Sequence, residues 1–108
     1  MAFDVTLAGR IRDRLRGAAG VTEKKMFGGL VFLTGGAMTV GVYGDDLLVR
    51  VDPAAIDAAL GEPGVRRFTM GGRATSGFVV VAGEAVDDAT LDRWIARAAA
   101  YVAGLAKR

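Results

Sequence analysis

Between Leu30 and Val51 three short apolar runs are separated by glycine-bearing turns, and this spacing constrains the fold more than any other feature of the chain. The runs are Leu-Val-Phe-Leu (30–33), Ala-Met-Thr-Val-Gly-Val-Tyr (37–43) and Leu-Leu-Val-Arg-Val (47–51). Thr34-Gly35-Gly36-Ala37 joins the first two. A Gly-Gly pair at the centre of a two-residue loop selects a type I′ or II′ hairpin, because both need positive φ. Gly44-Asp45-Asp46 marks a second turn. In the middle run Met38, Val40 and Val42 face one way, and Thr39, Gly41 and Tyr43 the other. In the third, Leu47, Val49 and Val51 oppose Leu48 and Arg50. The segment reads as an antiparallel meander of three strands, spanning residues 26–51.

Helical periodicity flanks it. Phe3, Leu7, Ile11 and Leu15 recur every four residues, which predicts a helix over residues 4–19 that ends at Gly17 and Gly20. Asp52-Pro53 followed by Ile56, Leu60 and Gly61 predicts a second helix, with Asp52 as cap, Pro53 in the first position and Gly61 in the left-handed C′ position. Residues 65–70 and 77–82 read as two more strands joined by a loop from Gly71 to Gly77. Phe78 to Val81 offers no polar face, so that strand is expected to be covered on both sides. A final helix runs from about Asp88 to Leu105 on a stripe of Leu91, Trp94, Ile95, Ala98, Tyr101, Val102 and Leu105. Asp87, Asp88 and Asp92 at its start and Lys107 and Arg108 at its end suit the helix dipole. The order αβββαββα predicts a single α+β domain over residues 1–108, with helices packed on a mostly antiparallel five-stranded sheet.

Composition removes several chemistries. The 108 residues include no Cys and no His. Thiol nucleophiles, imidazole bases and the common zinc ligands are therefore excluded, and no cofactor is expected. No apolar run approaches the length of a membrane span, and the N-terminus lacks the pattern of a signal peptide, so a soluble cytoplasmic protein is expected. Gly29 and Gly35 enclose five residues where a phosphate loop has four, and a strand follows where a helix is required. Ser76, the single serine, has no histidine to activate it. The pairs Asp45-Asp46 and Asp87-Asp88 sit where turns and caps favour aspartate. A magnesium site of Asp45, Asp46 and Asp52 has no supporting spacing.

Three binding classes remain. Lys24, Lys25, Arg66, Arg67 and Arg73 lie near strand starts and loops, with Phe27 and Phe68 beside them. Together they could hold a phosphate backbone while a ring stacks a base. The net charge of only +2 with interspersed acids favours a solvated rim instead. The arginines Arg10, Arg12, Arg14 and Arg16 spread around the first helix and read as a solvated face. Arg73 and its glycines could alternatively hold a small anion. The third class is a protein-interaction module. Hydrophobic residues make up 52% of the chain, and the small residues of Ala96–Ala106 allow close packing. A protein partner or a homodimer would cover surplus apolar surface. Tyr43 and Tyr101 would then be anchors, while Trp94, at mid-stripe, is expected in the core.

The run Val21 to Gly29, the Leu48–Val51 strand, the Gly72-Arg73 pair and the Trp-bearing last helix resemble the TfoX N-terminal domain family, named for the TfoX/Sxy competence regulators. The most specific piece is Lys/Arg-Met-Phe-Gly-Gly at Lys25–Gly29. The resemblance covers about residues 8–106 and implies a compact α+β domain. The competence regulators add a C-terminal domain and act in transcriptional co-activation. This chain ends at Arg108 and is expected to lack that domain. The family brings no catalytic residues. The resulting expectation is a non-enzymatic regulatory or adaptor protein acting through protein–protein contact. Nucleic-acid binding and anion sensing stand as alternatives, and no membrane association is expected.

Overall fold

Asp4 opens the first helix. In the computed structural model, which describes residues 3–26, 28–70 and 72–105 (for Met70, Ala74 and Ser76 the backbone alone), α1 spans Val5–Leu15. The Asp4 carboxylate accepts from the amides of Thr6 at 2.9 Å and Leu7 at 3.1 Å. That satisfies two of the donors a helix start leaves orphaned. Leu7, Ala8 and Ile11 are buried. Gly17, at φ 89°, turns the chain away after the helix ends.

Six strands follow: β1 (Val21–Met26), β2 (Gly29–Thr34), β3 (Ala37–Tyr43), β4 (Asp46–Arg50), β5 (Val65–Met70) and β6 (Arg73–Val81). They form one antiparallel sheet in the order β1-β2-β3-β4-β6-β5. The expectation of five strands is corrected by β1. Thr22, Glu23, Lys24 and Lys25 are all exposed on this edge strand. With no buried face, they leave no period-two apolar signal.

The two glycines after Phe27 have separate tasks. Met26 pairs with Gly29, so two residues close the β1–β2 hairpin, and Gly28 in that loop has φ 76°. Gly29 is buried, and a Cβ there would run into the carbonyl oxygen of Val42 on β3. The first glycine makes the turn, and the second allows two backbones to approach. Gly35 and Gly36, at φ 58° and 86°, close β2–β3 as expected.

Two other expectations change. The Gly71–Gly77 loop is mostly strand: Met70 pairs with Arg73, so the β5–β6 hairpin turns within two residues, Gly72 having φ 81°. The second helix is short, a 3-10 turn over Pro53–Ala55 leading into α2 (Ile56–Leu60). Asp52 caps the amide of Ala54 at 2.9 Å. Gly61 does not enter the left-handed region, having φ −77°. The chain continues its helical turn there, with Glu62 donating to Ala59, and Gly64 makes the left-handed step at φ 75°.

The final helix, α3, covers Asp88–Leu105. Asp87 caps it by accepting from the Thr90 amide at 2.8 Å. The Lys107 and Arg108 of the expected dipole pairing lie outside the described residues.

Side-chain alternation divides the apolar residues between two clusters. Leu30, Phe32, Val40, Val42, Leu47, Val49, Val79 and Val81 meet residues of all three helices, including Ile11, Ala59, Leu91 and Trp94. Val31, Leu48, Phe68 and Val80 form a second cluster on the opposite face, to which no helix residue belongs. Both faces of β6 are thus covered, as its unbroken apolar run predicts. The sheet itself folds partly over the second face. Two strands separate β3 from β5, a span of about 14 Å in a flat sheet, yet the Tyr43 and Phe68 rings are 5.1 Å apart. The β5–β6 hairpin must curl over this face, and a register shift between Arg67 and Thr69 marks the bend.

Candidate functional site

The five basic residues picked out in the sequence occupy three separate places. Lys24 and Lys25 are exposed on β1. Lys24 pairs with Val31 and Lys25 with Leu30, so their side chains leave opposite faces of the sheet. Arg66 and Arg67 lie on β5, at the other edge, with four strands between. Arg73 is exposed at the tip of the β5–β6 hairpin. Phe27 lies outside the described residues. Phe68 is 3% exposed and belongs to the second cluster. The lysines and the β5 arginines thus start from opposite edges of the sheet.

Local ion pairs account for two of these five charges. Arg66 pairs with Asp46 at 2.9 Å, and Arg67 reaches Asp57 at 3.8 Å. Lys24 and Lys25 have no acidic partner among the described residues. Lysine on an exposed edge strand hinders strand addition by another chain. A two-fold antiparallel pairing of β1 with a second β1 would centre on one residue facing its own copy. Glu23 against Glu23 and Lys24 against Lys24 would both repel.

Of the first-helix arginines, Arg12 and Arg16 are exposed, as a solvated face would have them, while Arg10 and Arg14 are half-buried. Arg10 and Arg14 both reach Asp88, at 3.1 and 3.0 Å, and Arg14 also holds Asp92 at 2.5 Å, fastening α1 to α3. Arg10 further donates to the Val86 carbonyl at 2.8 Å. Arg12 grips Glu23 through two hydrogen bonds of 2.6 and 2.7 Å, tying α1 to the edge strand. The hydrogen bonds from Arg12 hold the Glu23 carboxyl below its ordinary range. The same contact raises Arg12. Such pairs join residues far apart in the chain, so helical periodicity alone could not disclose them.

Trp94 fills the core, at 1% exposure. Arg97 and Arg93 stack over its ring, 4.3 and 5.5 Å from the centroid, and both bind Glu62. Burial would raise the Glu62 carboxyl, but the hydrogen bonds from Arg97 and Arg93 outweigh it and hold the group below its ordinary value. Tyr43 and Tyr101 are half-buried. Tyr43 belongs to the second face, and the Tyr101 ring lies 5.8 Å from the Arg50 guanidinium.

Asp46, Asp87 and Asp88 serve the fold. Asp46 accepts from the Gly83 amide at 2.9 Å as well as from Arg66. Asp46 opens β4 and Asp52 lies just beyond its other end. A strand of that length separates them by about 20 Å, so a shared magnesium site with Asp45 is ruled out by topology. A cleft of about 420 Å³ beside α1 is lined by Asp4, Asp45, Asp46, Glu84 and Arg10 among others. Asp4 and Asp46 there already accept hydrogen bonds from backbone amides. Among the described residues no group of three acids is placed to hold a metal ion. The Ser76 side chain lies outside the described atoms. No described helix is long and apolar enough to cross a membrane.

The feature best suited to binding is the second sheet face. Around its buried residues Met26, Leu33, Met38, Tyr43 and Phe78 are only partly buried. This face offers two aromatic rings and flexible thioethers, which adapt to varied partners. Sequence alternation placed Met38 on the same face as Val40. A register shift between Phe32 and Leu33 instead turns Met38 to the second face.

Comparison with known families matches residues 13–102 to the TfoX N-terminal domain. No curated protein and no solved structure matches the chain.

Proposed function

This chain belongs to the TfoX N-terminal domain family, and we propose from that membership that it is a non-enzymatic regulatory or adaptor protein working by contact with another protein. Transcriptional regulation is the setting we propose for that contact. The observation that carries the reading is the second sheet face. Three helices serve the other side, while here half-buried Met26, Leu33, Met38, Tyr43 and Phe78 surround a small apolar cluster without helical cover.

Nucleic-acid binding has less support, because the basic residues that would form its contact surface are dispersed over both sheet edges and a hairpin tip. Capture from cell extract tests the docking reading. A specific partner retained by the wild-type chain and lost with Met38→Glu, at unchanged thermal stability, supports it. Sedimentation of the purified chain tests whether that partner is a second copy. A monomer that retains no protein, or one whose partner is indifferent to Met38→Glu and Leu33→Glu alike, sinks it.

A further inference from the structure

Five of the described arginines are half-buried: Arg10, Arg14, Arg50, Arg67 and Arg97. Four of them face a carboxylate, Arg10 and Arg14 on Asp88, Arg67 on Asp57 and Arg97 on Glu62. Arg50 has none among the described residues. A guanidinium taken partly out of water without a counter-charge is costly unless other groups stabilise it. Here two rings do so. The guanidinium carbon lies 5.9 Å from the centroid of Phe78 and 5.8 Å from that of Tyr101. One amino group donates to the Met38 carbonyl at 3.3 Å, a long bond. The other N–H donors have no partner among the described residues.

Bracing β4 against α3 would not require this chemistry. A leucine or methionine could pack on both rings without leaving donors unspent. What the arginine adds is a planar fork of N–H groups whose position the rings and the Met38 carbonyl restrict. A side chain held in place before binding loses less conformational entropy when a ligand arrives, and the fork matches the spacing of two oxygens on one atom. We propose that Arg50 receives an oxyanion, a carboxylate or phosphate group, with the Phe78 and Tyr101 rings as walls for whatever carries it. Anion binding at this place needs no protein partner, so it can succeed or fail separately from the docking reading.

The test follows the Arg50 Nε–H resonance of the full, nitrogen-15-labelled chain during titration with inorganic phosphate, succinate and a glutamate-rich peptide. The expected result is a saturable shift with at least one probe. Arg50→Lys should weaken that binding at least about tenfold, because an ammonium cannot make the bidentate contact. Arg73→Gln, at the exposed hairpin tip, should leave it unchanged. A response to phosphate or succinate assigns a free small anion. A response to the peptide alone assigns a carboxylate presented by another chain. A Kd weaker than about 10 mM for all three probes overturns the proposal, as does equal affinity in a folded Arg50→Lys variant. Should that variant fail to fold, the wild-type titration still decides.

Discussion

Gly29 lies so close to Val42 that a side chain on it would collide with the Val42 carbonyl oxygen, whereas a Cβ on its neighbour Gly28 would meet nothing within 4 Å. Two adjacent glycines therefore carry different burdens. Gly28→Ala places a Cβ in open space but keeps the strain of φ 76°, which costs about 1–2 kcal/mol. Gly29→Ala forces β2 away from β3 in the sheet interior, an overpacking penalty of about 1–3 kcal/mol and more where only backbone can yield. Urea unfolding should rank Gly29→Ala as the more damaging change. The reverse order would contradict the close approach of the two strands.

That division was half legible in the sequence. The pair announces a strand entry, but the need for the second glycine comes from β3, which meets it only after the intervening hairpin forms. The same limit explains β1. Val-Thr-Glu-Lys-Lys-Met has no apolar alternation because its strand is an edge. Its membership rests on backbone pairing with β2, which side-chain pattern does not report. The interior strands and the Trp94 helix could be read because burial imposes periodicity on them. The Arg50 cradle could not, since its two rings come from β6 and α3.

Glu62 links the turn after α2 to α3 through Arg93 and Arg97, whose guanidinium groups also cover Trp94. Its side chain is 27% exposed, so the pairing is partly screened. Glu62→Ala should cost about 1–2 kcal/mol in chemical unfolding, the range for hydrogen bonds to charged groups discounted for solvent access. The loss should shrink in an Arg93→Ala/Arg97→Ala background, where the partners are already absent. An undiminished loss there would show that Glu62 acts through its position in the turn and not through the arginines.

Acid should destabilise the protein through its clamped carboxylates. Glu23 is held low by the hydrogen bonds from Arg12, and Asp88 by the hydrogen bond from Arg10 and the charge of Arg14. Burial opposes the effect at Glu62, where Arg97 and Arg93 prevail. A carboxyl whose folded pKa lies below its unfolded value stabilises the protein above the unfolded pKa, and the contribution disappears as pH falls through the folded one. The window opens below about pH 4.3, the unfolded glutamate value, and extends downward. With no histidine in the chain, no imidazole adds a step between pH 5 and 8. Unfolding free energy should decline on acidification below that point, and Glu23→Gln/Glu62→Gln should decline less steeply. Equal slopes for the two proteins would assign the acid sensitivity elsewhere.

The placement of the basic residues makes a quantitative forecast for nucleic acid. Five converging contacts would give a slope of about −4.5 for log affinity against log salt on duplex DNA, at roughly −0.9 for each phosphate neutralised. Lys24 and Lys25 lie on one edge strand and Arg66 and Arg67 on the other, with both arginines near carboxylates. Contact through the lysine edge alone would give a slope of about −1.8, for two phosphates. Affinity that weak should vanish near physiological salt. Exchanging Lys24 and Lys25 for glutamine should then remove whatever binding remains at low salt, while Arg66→Gln/Arg67→Gln should have little effect. A slope near −4.5 that responds to substitutions on both edges would overturn this forecast.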